Sequence, residues 1–300
     1  MRMSFRTRTV LLGSLLALGA TAAGAQQRVD IRRAVTPTVA VRVSGSYAEL
    51  KIVAWNSDSI ALSGTLPKGA RLEGGVGGGT RTPASGAKFW IEPSPADPGG
   101  GSLVLRVPAR ARVWVKTDHA RISVEGVTGE LDLNIISGNI AVRGDPGQAN
   151  LESMDGHVTV DGSPAWLRVK TADGNVTVRG STDDLGITTV SGEVTVRDGD
   201  HERARVETVT GGVTFEGNLV RGAHLTIETH SGAIEFASGS GRNLTVDAHS
   251  LTGRINNMLS PKRPSPGRDG RGEELALELG NGGAQAILRS FKAGIRLIAR

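Results

Sequence analysis

The feature that most constrains this chain is a glycine that returns at a nearly constant interval through its second half. The stretches "ISGNIAVRG", "MDGHVTVDG", "ADGNVTVRG" and "VSGEVTVRD" follow one another, each with a polar residue directly before the glycine. A period near 20 residues indicates stacked repeats, each of which buries its apolar side chains only against its neighbours. The spacings are 18, 18, 18, 19, 21 and 21 residues, and they separate the turn glycines Gly138, Gly156, Gly174, Gly192, Gly211, Gly232 and Gly253.

Each repeat has two arms of alternating apolar and polar residues, one on either side of the glycine. The first arm ends in Thr, as in "LRVKT" from Leu167, and the second places apolar residues two apart, as in Val176 and Val178. This alternation is typical of half-buried strands, and Ser-Gly or Asp-Gly between the arms indicates a turn with positive φ. Because equivalent strands can pair about 4.8 Å apart, the pattern predicts an all-β fold, a single-stranded β-helix or β-solenoid of stacked coils.

The threonines that end the first arms fall on the inward phase of the alternation. We expect them to form a column beside the turn and to satisfy backbone groups there. The members of this column are Thr171, Thr189, Thr208 and Thr229.

The chain divides by pattern into a leader and four further segments. Residues 1–25 resemble a secretory signal peptide, since Arg2, Arg6 and Arg8 precede an apolar run that ends in small residues. Residues 26–112 contain strand patterns without the period and predict a β-strand cap over the first coil. Residues 113–259 hold the repeats. The Pro- and Gly-rich residues 260–274 predict a flexible loop, and residues 275–300 resume the alternation and predict the final coils.

Composition narrows the class of protein further. The chain has no cysteine, which excludes disulfides and a lipidated cysteine anchor. The leader's apolar run is shorter than the roughly 20 residues that span a bilayer, so we expect no transmembrane segment after cleavage and an exported protein in the periplasm, at the outer surface or outside the cell. Without the leader's three arginines, 32 basic residues stand against 30 acidic ones, and this balance predicts no nucleic-acid partner.

Three patterns together resemble the bacterial putative-adhesin family of β-strand-repeat proteins. They are "ELKIVAWNSDSIALSG" from Glu49, "LVLRVPARARVWVKT" from Leu103, and the iterated "SGxIxVxG" units, and the likeness runs from Val39 to the end of the chain. The chain departs from the pattern at Ala120, which stands where glycine is expected, and in the insert at 260–274. The resemblance implies an exported β-repeat protein; the family has no defined site, so no functional residue is carried over.

Several acidic residues could be interpreted as catalytic. Asp155 and Asp173 precede turn glycines one repeat apart and could act as the paired carboxylates of a carbohydrate-active β-helix enzyme, but Ser and Thr at the equivalent positions favour turn residues. Asp161 between two arginines could be catalytic, but a surface charge ladder explains it equally well. That ladder comprises Arg143, Asp161, Arg179, Arg197 and Glu216.

The remaining candidates favour structure over catalysis. Thr159, Thr177, Thr195 and Thr214 form an outward threonine column that β-propensity explains. The six histidines lack metal-ligand spacing, the four tryptophans are widely dispersed and suit core or edge packing, and no cofactor, metal or catalytic motif is recognised. The sequence therefore predicts a non-enzymatic envelope or surface protein, an adhesin or scaffold that presents repetitive β-faces to a surface polysaccharide or protein. The alternative is a β-helix polysaccharide lyase or hydrolase, and end-to-end self-assembly is compatible with the first hypothesis.

Overall fold

The computed structural model describes residues 27–78, 82–97, 100–238, 243–267 and 270–299, so the signal-peptide prediction for residues 1–25 lies outside the described residues. Within them no helix occurs, and all strands belong to one 24-stranded sheet; the all-β prediction is confirmed. In chain order the strands are β1 (Arg28–Gly45), β2 (Glu49–Trp55), β3 (Ser59–Thr65), β4 (Leu72–Val76), β5 (Ala84–Ile91), β6 (Ser102–Pro108), β7 (Arg112–His119), β8 (Arg121–Glu125), β9 (Glu130–Ser137), β10 (Ile140–Arg143), β11 (Gln148–Asp155), β12 (Val158–Asp161), β13 (Trp166–Asp173), β14 (Val176–Arg179), β15 (Thr182–Thr189), β16 (Val194–Thr208), β17 (Val213–Thr229), β18 (Ile234–Ser238), β19 (Leu244–Ser250), β20 (Ile255–Asn257), β21 (Ser265–Pro266), β22 (Glu273–Leu279), β23 (Ala284–Ser290) and β24 (Ile295–Ala299).

The strands of the repeats pair in two parallel ladders. In the first ladder each strand pairs with the strand one repeat away, so that one inward row reads Leu133, Leu151, Val169 and Ile187 across β9, β11, β13 and β15. In the second ladder the short strands after the glycine align in the same way, and one row reads Ile140, Val158, Val176 and Val194 across β10, β12, β14 and β16. Each repeat thus adds one strand to each ladder, as the period requires.

The core runs along the stacking direction between the inward faces of the strands. Val158, Val160, Val176 and Val178 are fully buried, whereas Thr177 between the last two is only half-buried. Burial of one such side chain contributes about 1.5–3 kcal/mol, so a narrow core with few aromatics accumulates stability by repetition. The predicted alternation of inward and outward residues is confirmed through the repeats.

The N-terminal strands extend both ladders before ending them. The second half of β1 pairs in parallel with β7 and β5, and β2 pairs in parallel with β8 and β6. Antiparallel strands then cover the end of the sheet: β3 pairs with β1 and β6, and β4 pairs with β5. Because β3 has a partner on each of its edges, it closes part of this end of the sheet and leaves β4 as the outermost strand there.

At the other end the strand order departs from the chain order. β23 lies between β17 and β19, and β24 lies between β18 and β20. The chain therefore skips one position when it passes from β17 to β19, and residues 284–299 later fill that position; the sequence period does not predict this insertion. β22 pairs antiparallel with β19 and covers the end of the sheet.

The described residues of segment 260–274 contact this covered end at two points. Its residues Ser265 and Pro266 form β21, which pairs with the start of β22. The Lys262 Nζ donates a hydrogen bond of 2.6 Å to the backbone carbonyl of Ala276 in β22. A lysine that occupies an edge carbonyl in this way reduces the tendency of the edge to pair with another strand.

Candidate functional site

The turn between the two ladders is built around a column of closely stacked glycines. A β-carbon on Gly156 would overlap the backbone of Gly138, and one on Gly174 would overlap Gly156; the same holds for every turn glycine against the residue stacked next to it. Only Gly138, Gly156 and Gly174 have positive φ, at 117°, 155° and 156°. The expected positive φ is therefore wrong for the other four, and close approach of the stacked backbones explains all seven.

The hydroxyl column beside this turn uses two hydrogen-bonding patterns. Thr208 Oγ1 accepts the Gly211 N–H at 3.0 Å and Thr189 Oγ1 accepts that of Gly192 at 3.2 Å. Thr229 Oγ1 donates to the carbonyl of Gly232 at 2.6 Å. These three members confirm the expectation that the column satisfies backbone groups. The buried Thr171 hydroxyl has no partner among the described residues, so it departs from that expectation.

The residue after each of these hydroxyls, and after Ile135 at the equivalent position of an earlier repeat, points outward, and at most positions it is apolar. Five of these side chains are between 44% and 61% exposed. Backbone hydrogen bonds hold the row in line, for example Ser191 N to Ala172 O at 3.0 Å and Thr210 N to Val190 O at 2.8 Å. We call this row the apolar stripe; its members are Ile136, Met154, Ala172, Val190, Val209, His230 and Phe291.

The stripe is continuous and has polar margins. Its seven members lie in or directly after consecutive strands of the first ladder, so at about 4.8 Å per strand it is about 29 Å long. At one end the rings of His230 and Phe291 stack with centroids 4.9 Å apart. Beside it, Lys170 and Glu152 form an ion pair of 3.4 Å, and Ser191 donates to the Asp173 carboxylate at 3.0 Å on the other side. An apolar centre with a polar rim is the anatomy of a protein interface.

Sequence reasoning missed this stripe although a signal was present. In each repeat the residue after the inward threonine should be polar if the alternation of apolar and polar residues holds. Val190 and Val209 break that rule at the same position of successive repeats. The exposed apolar residues become visible as one feature only when the ladder register is known.

The candidate acids make ion pairs and hydrogen bonds with side chains on neighbouring strands. Asp161 lies between two arginines, 3.8 Å from Arg143 Nε and 3.3 Å from an Arg179 terminal nitrogen. Arg197 pairs with Glu216 at 3.4 Å. The predicted charge ladder is thus confirmed, with each pair in the cross-strand register. Asp155 and Asp173 lie side by side at the turn, where Asp173 accepts the Ser191 hydroxyl.

Among the histidines, only His201 is fully buried. Burial lowers the pKa of its imidazole. Its Nδ1 lies 2.8 Å from Thr182 Oγ1 and its Nε2 lies 3.2 Å from the Asp198 carbonyl, so a neutral ring that donates from Nε2 and accepts at Nδ1 satisfies both contacts. Within the described ranges no three His, Cys, Asp or Glu residues gather as metal ligands.

The tryptophans are placed differently from the expectation of core or edge packing. All four lie on outer faces, and each of three packs against an arginine guanidinium. Trp114 has two such neighbours, Arg42 and Arg112, whose Cζ atoms lie 5.6 and 5.8 Å from the ring centroid. The ladder register brings these residues together from β1 and β7, which the linear spacing of the tryptophans does not indicate.

The chain was compared with protein families, curated proteins and solved structures. No protein-family model matches the chain, and no curated protein does. Among solved structures, a Bacteroides fragilis protein described as a "putative adhesin" is 8% identical, covers 92% of this chain and 99% of its own, and has a TM-score of 0.44. A Clostridium sporogenes protein described as a "putative cell adhesion protein" is 10% identical, covers 91% and 100%, and has a TM-score of 0.22.

The described residues form no helix that is long and apolar enough to cross a membrane.

Proposed function

We propose that the protein is a non-enzymatic, exported scaffold of the cell envelope or surface, a β-solenoid that adheres through its repetitive outer faces. The observation that carries the proposal is the apolar stripe. A row of large exposed apolar side chains across consecutive strands is more than a scatter of surface residues and is typical of an interaction surface. The in-register parallel ladders, which advance by one strand per repeat, support the solenoid and explain why such a row forms at all.

The spacing of the stripe favours a second copy of this chain as the partner. Its side chains repeat at the strand spacing of about 4.8 Å. The turns of an α-helix repeat at 5.4 Å and would fall out of step by about 4 Å over six intervals. A second stripe has the same spacing and stays in step along its whole length.

The size of the contact is compatible with such a pairing. With the polar columns on either side, from Lys170 to Asp173, the face is about 29 Å long and about 10 Å wide, a footprint of about 300 Å². Standard interfaces bury about 800 Å² on each partner and smaller ones are weak and transient, so we expect a weak, concentration-dependent pairing. Both ends of the sheet are covered by antiparallel strands, which favours lateral contact over end-to-end stacking.

Sedimentation of residues 26–300 over a range of concentrations tests the proposal, together with clumping of beads that carry the protein. We expect concentration-dependent dimers and bead clumping. The variant Met154→Ser/Val190→Ser/Val209→Ser should weaken association by at least about tenfold, because each buried apolar side chain contributes on the order of 1 kcal/mol.

A matched control removes apolar groups from outward positions of the second ladder, through Thr159→Ser/Thr177→Ser/Thr195→Ser, and should leave association unchanged. A wild-type protein that remains monomeric and does not clump beads overturns the proposal. Cleavage of a polysaccharide that is lost in Asp161→Asn or Asp173→Asn would promote the enzyme alternative.

A further inference from the structure

A second outer surface, distant in sequence from the stripe, gathers positive charge and aromatic rings. Arg42 of β1 lies opposite Lys88 of β5 on one side and opposite Trp114 of β7 on the other. Arg112 lies on the same face, and both arginines approach the Trp114 ring. We call Arg42, Lys88, Arg112 and Trp114 the cationic cluster.

The cations of this cluster are not held in salt bridges by described residues. None of its three cations makes an ion pair within the part of the chain that the structure describes. Arg42 and Lys88 are direct cross-strand neighbours, an arrangement of like charges that destabilises a sheet. A bound anion would relieve that repulsion.

A similar pair elsewhere in the sheet shows the contrast. Trp166 and Arg168 also stack, with Arg168 Cζ 4.6 Å from the ring centroid. There Arg168 is paired with the Asp184 carboxylate at 2.6 Å. The cation–aromatic contact thus recurs with its arginine paired at Trp166, and it recurs without an ion pair among the described residues at Trp55, where Arg32 Cζ lies 5.1 Å from the ring centroid. The cluster differs from both in bringing three cations to one face.

The cluster forms one wall of an open groove of about 940 Å³. Opposite Lys88 the antiparallel strand β4 presents Gly75, where a β-carbon would meet open space. Small residues, including Gly77, Ser85 and Gly86, line the rest of the groove, and its described lining contains no carboxylate. The groove can therefore admit a ring-sized ligand that reaches the cations.

We propose that this groove binds an acidic saccharide, with one or two sugar carboxylates held by Arg42, Arg112 and Lys88 and one sugar ring packed on the Trp114 indole. Guanidinium groups present paired N–H donors that match a carboxylate. The half-buried indole lies within about 6 Å of both guanidinium groups, so a pyranose ring packed on its remaining apolar surface would lie within reach of both arginines.

The surroundings favour a short acidic saccharide over a nucleic acid. Glu130 is the cross-strand neighbour of Arg112, and Asp132 is that of Trp114. Negative charge thus begins one strand from the cluster, whereas a polynucleotide requires cations along a track of several phosphates. A ligand with its charge confined to one or two sugar units fits the patch better.

Calorimetric titration of residues 26–300 with trigalacturonic acid tests this inference, with neutral galactotriose as the comparison. We expect the acidic trimer to bind at low salt, to weaken as salt rises because exposed charges are screened, and to bind at least about tenfold more tightly than the neutral trimer. Arg42→Gln and Arg112→Gln should each weaken binding by about tenfold. Arg168→Gln is the matched control and should leave it unchanged.

Circular dichroism melts of each variant establish that a loss of binding is not a loss of fold. Equal binding of the neutral trimer, an equal effect of Arg168→Gln, displacement by equimolar inorganic sulfate, or tighter binding of a thymidine decanucleotide would each overturn the inference. Because the cluster and the apolar stripe share no residue, this result and the association test are independent.

Discussion

The unpaired hydroxyl of Thr171 gives a direct test of how the turns are stabilised. Thr171→Val replaces that hydroxyl by a methyl group of similar size. A buried polar group without a partner costs about 1–3 kcal/mol, so its removal should stabilise the protein by about 1 kcal/mol. For a chain of this length that corresponds to a rise in Tm of roughly 2–4 °C.

The matched substitution two positions along the same column should have the opposite sign. Thr208→Val removes the oxygen that accepts the Gly211 N–H at 3.0 Å, and it leaves that N–H without its side-chain acceptor. The expected loss is about 1–3 kcal/mol, so the two variants should differ by about 2–4 kcal/mol although the chemical change is identical.

Differential scanning calorimetry of both variants, with urea unfolding as a second measure, decides the matter. If Thr171→Val lowers stability as much as Thr208→Val does, the Thr171 hydroxyl has a partner in solution. The description of Thr171 as the unpaired member of the hydroxyl column would then be incorrect.

Three further predictions follow from burial, stacking and titration. Val176→Asp should cost several kcal/mol because it buries a charge without a partner, whereas Thr177→Asp on the outer face should be mild; equal melting temperatures would contradict the assignment of faces. Gly156→Ala should lower Tm even though alanine is otherwise the better residue, because its β-carbon overlaps Gly138; an unchanged Tm would show that the stack can separate. Burial lowers the pKa of His201 below its usual 6.5, so the unfolded state takes up the proton first, and stability present above pH 6.5 should be lost below it by up to about 1.4 kcal/mol per pH unit. Urea unfolding at pH 7.5 and 5.5 should show that loss in the wild type relative to His201→Gln, and a constant difference between the two would refute it.

The repeats were predictable because their signal is local and recurs. Alternation identified the inward side of Val158 and Val176, and the period placed the turn glycines in one column. The reason why these positions require glycine could not be predicted from the sequence, because the close approach of neighbouring repeats is a property of the tertiary structure. Positive φ accounts for only three of the seven glycines.

The functional surfaces were not predictable because register between distant segments creates them. Arg42, Lys88 and Trp114 are separated by 46 and 26 residues in sequence, and no repeat period links β1, β5 and β7. Their meeting depends on the order in which the N-terminal strands pair. The apolar stripe had a sequence signal in Val190 and Val209. Alternation assigns residues to a face within one strand only, so it does not show that such residues line up across strands.

The insertion of β23 and β24 between earlier strands has a consequence for the order of folding. The first ladder can grow strand by strand from β7 to β17 as the chain is synthesised, because each new strand finds its partner already present. Growth of the ladder must then stop, because β17 and β19 both pair with β23. Until residues 284–299 are synthesised, the facing edges of β17 and β19 border a gap one strand wide. A nascent chain that is halted before that point lacks strands from the inside of the sheet and not from its end. Its two unpaired strand edges can then pair with strands of other chains. Completion of the fold therefore waits for the last strands to arrive.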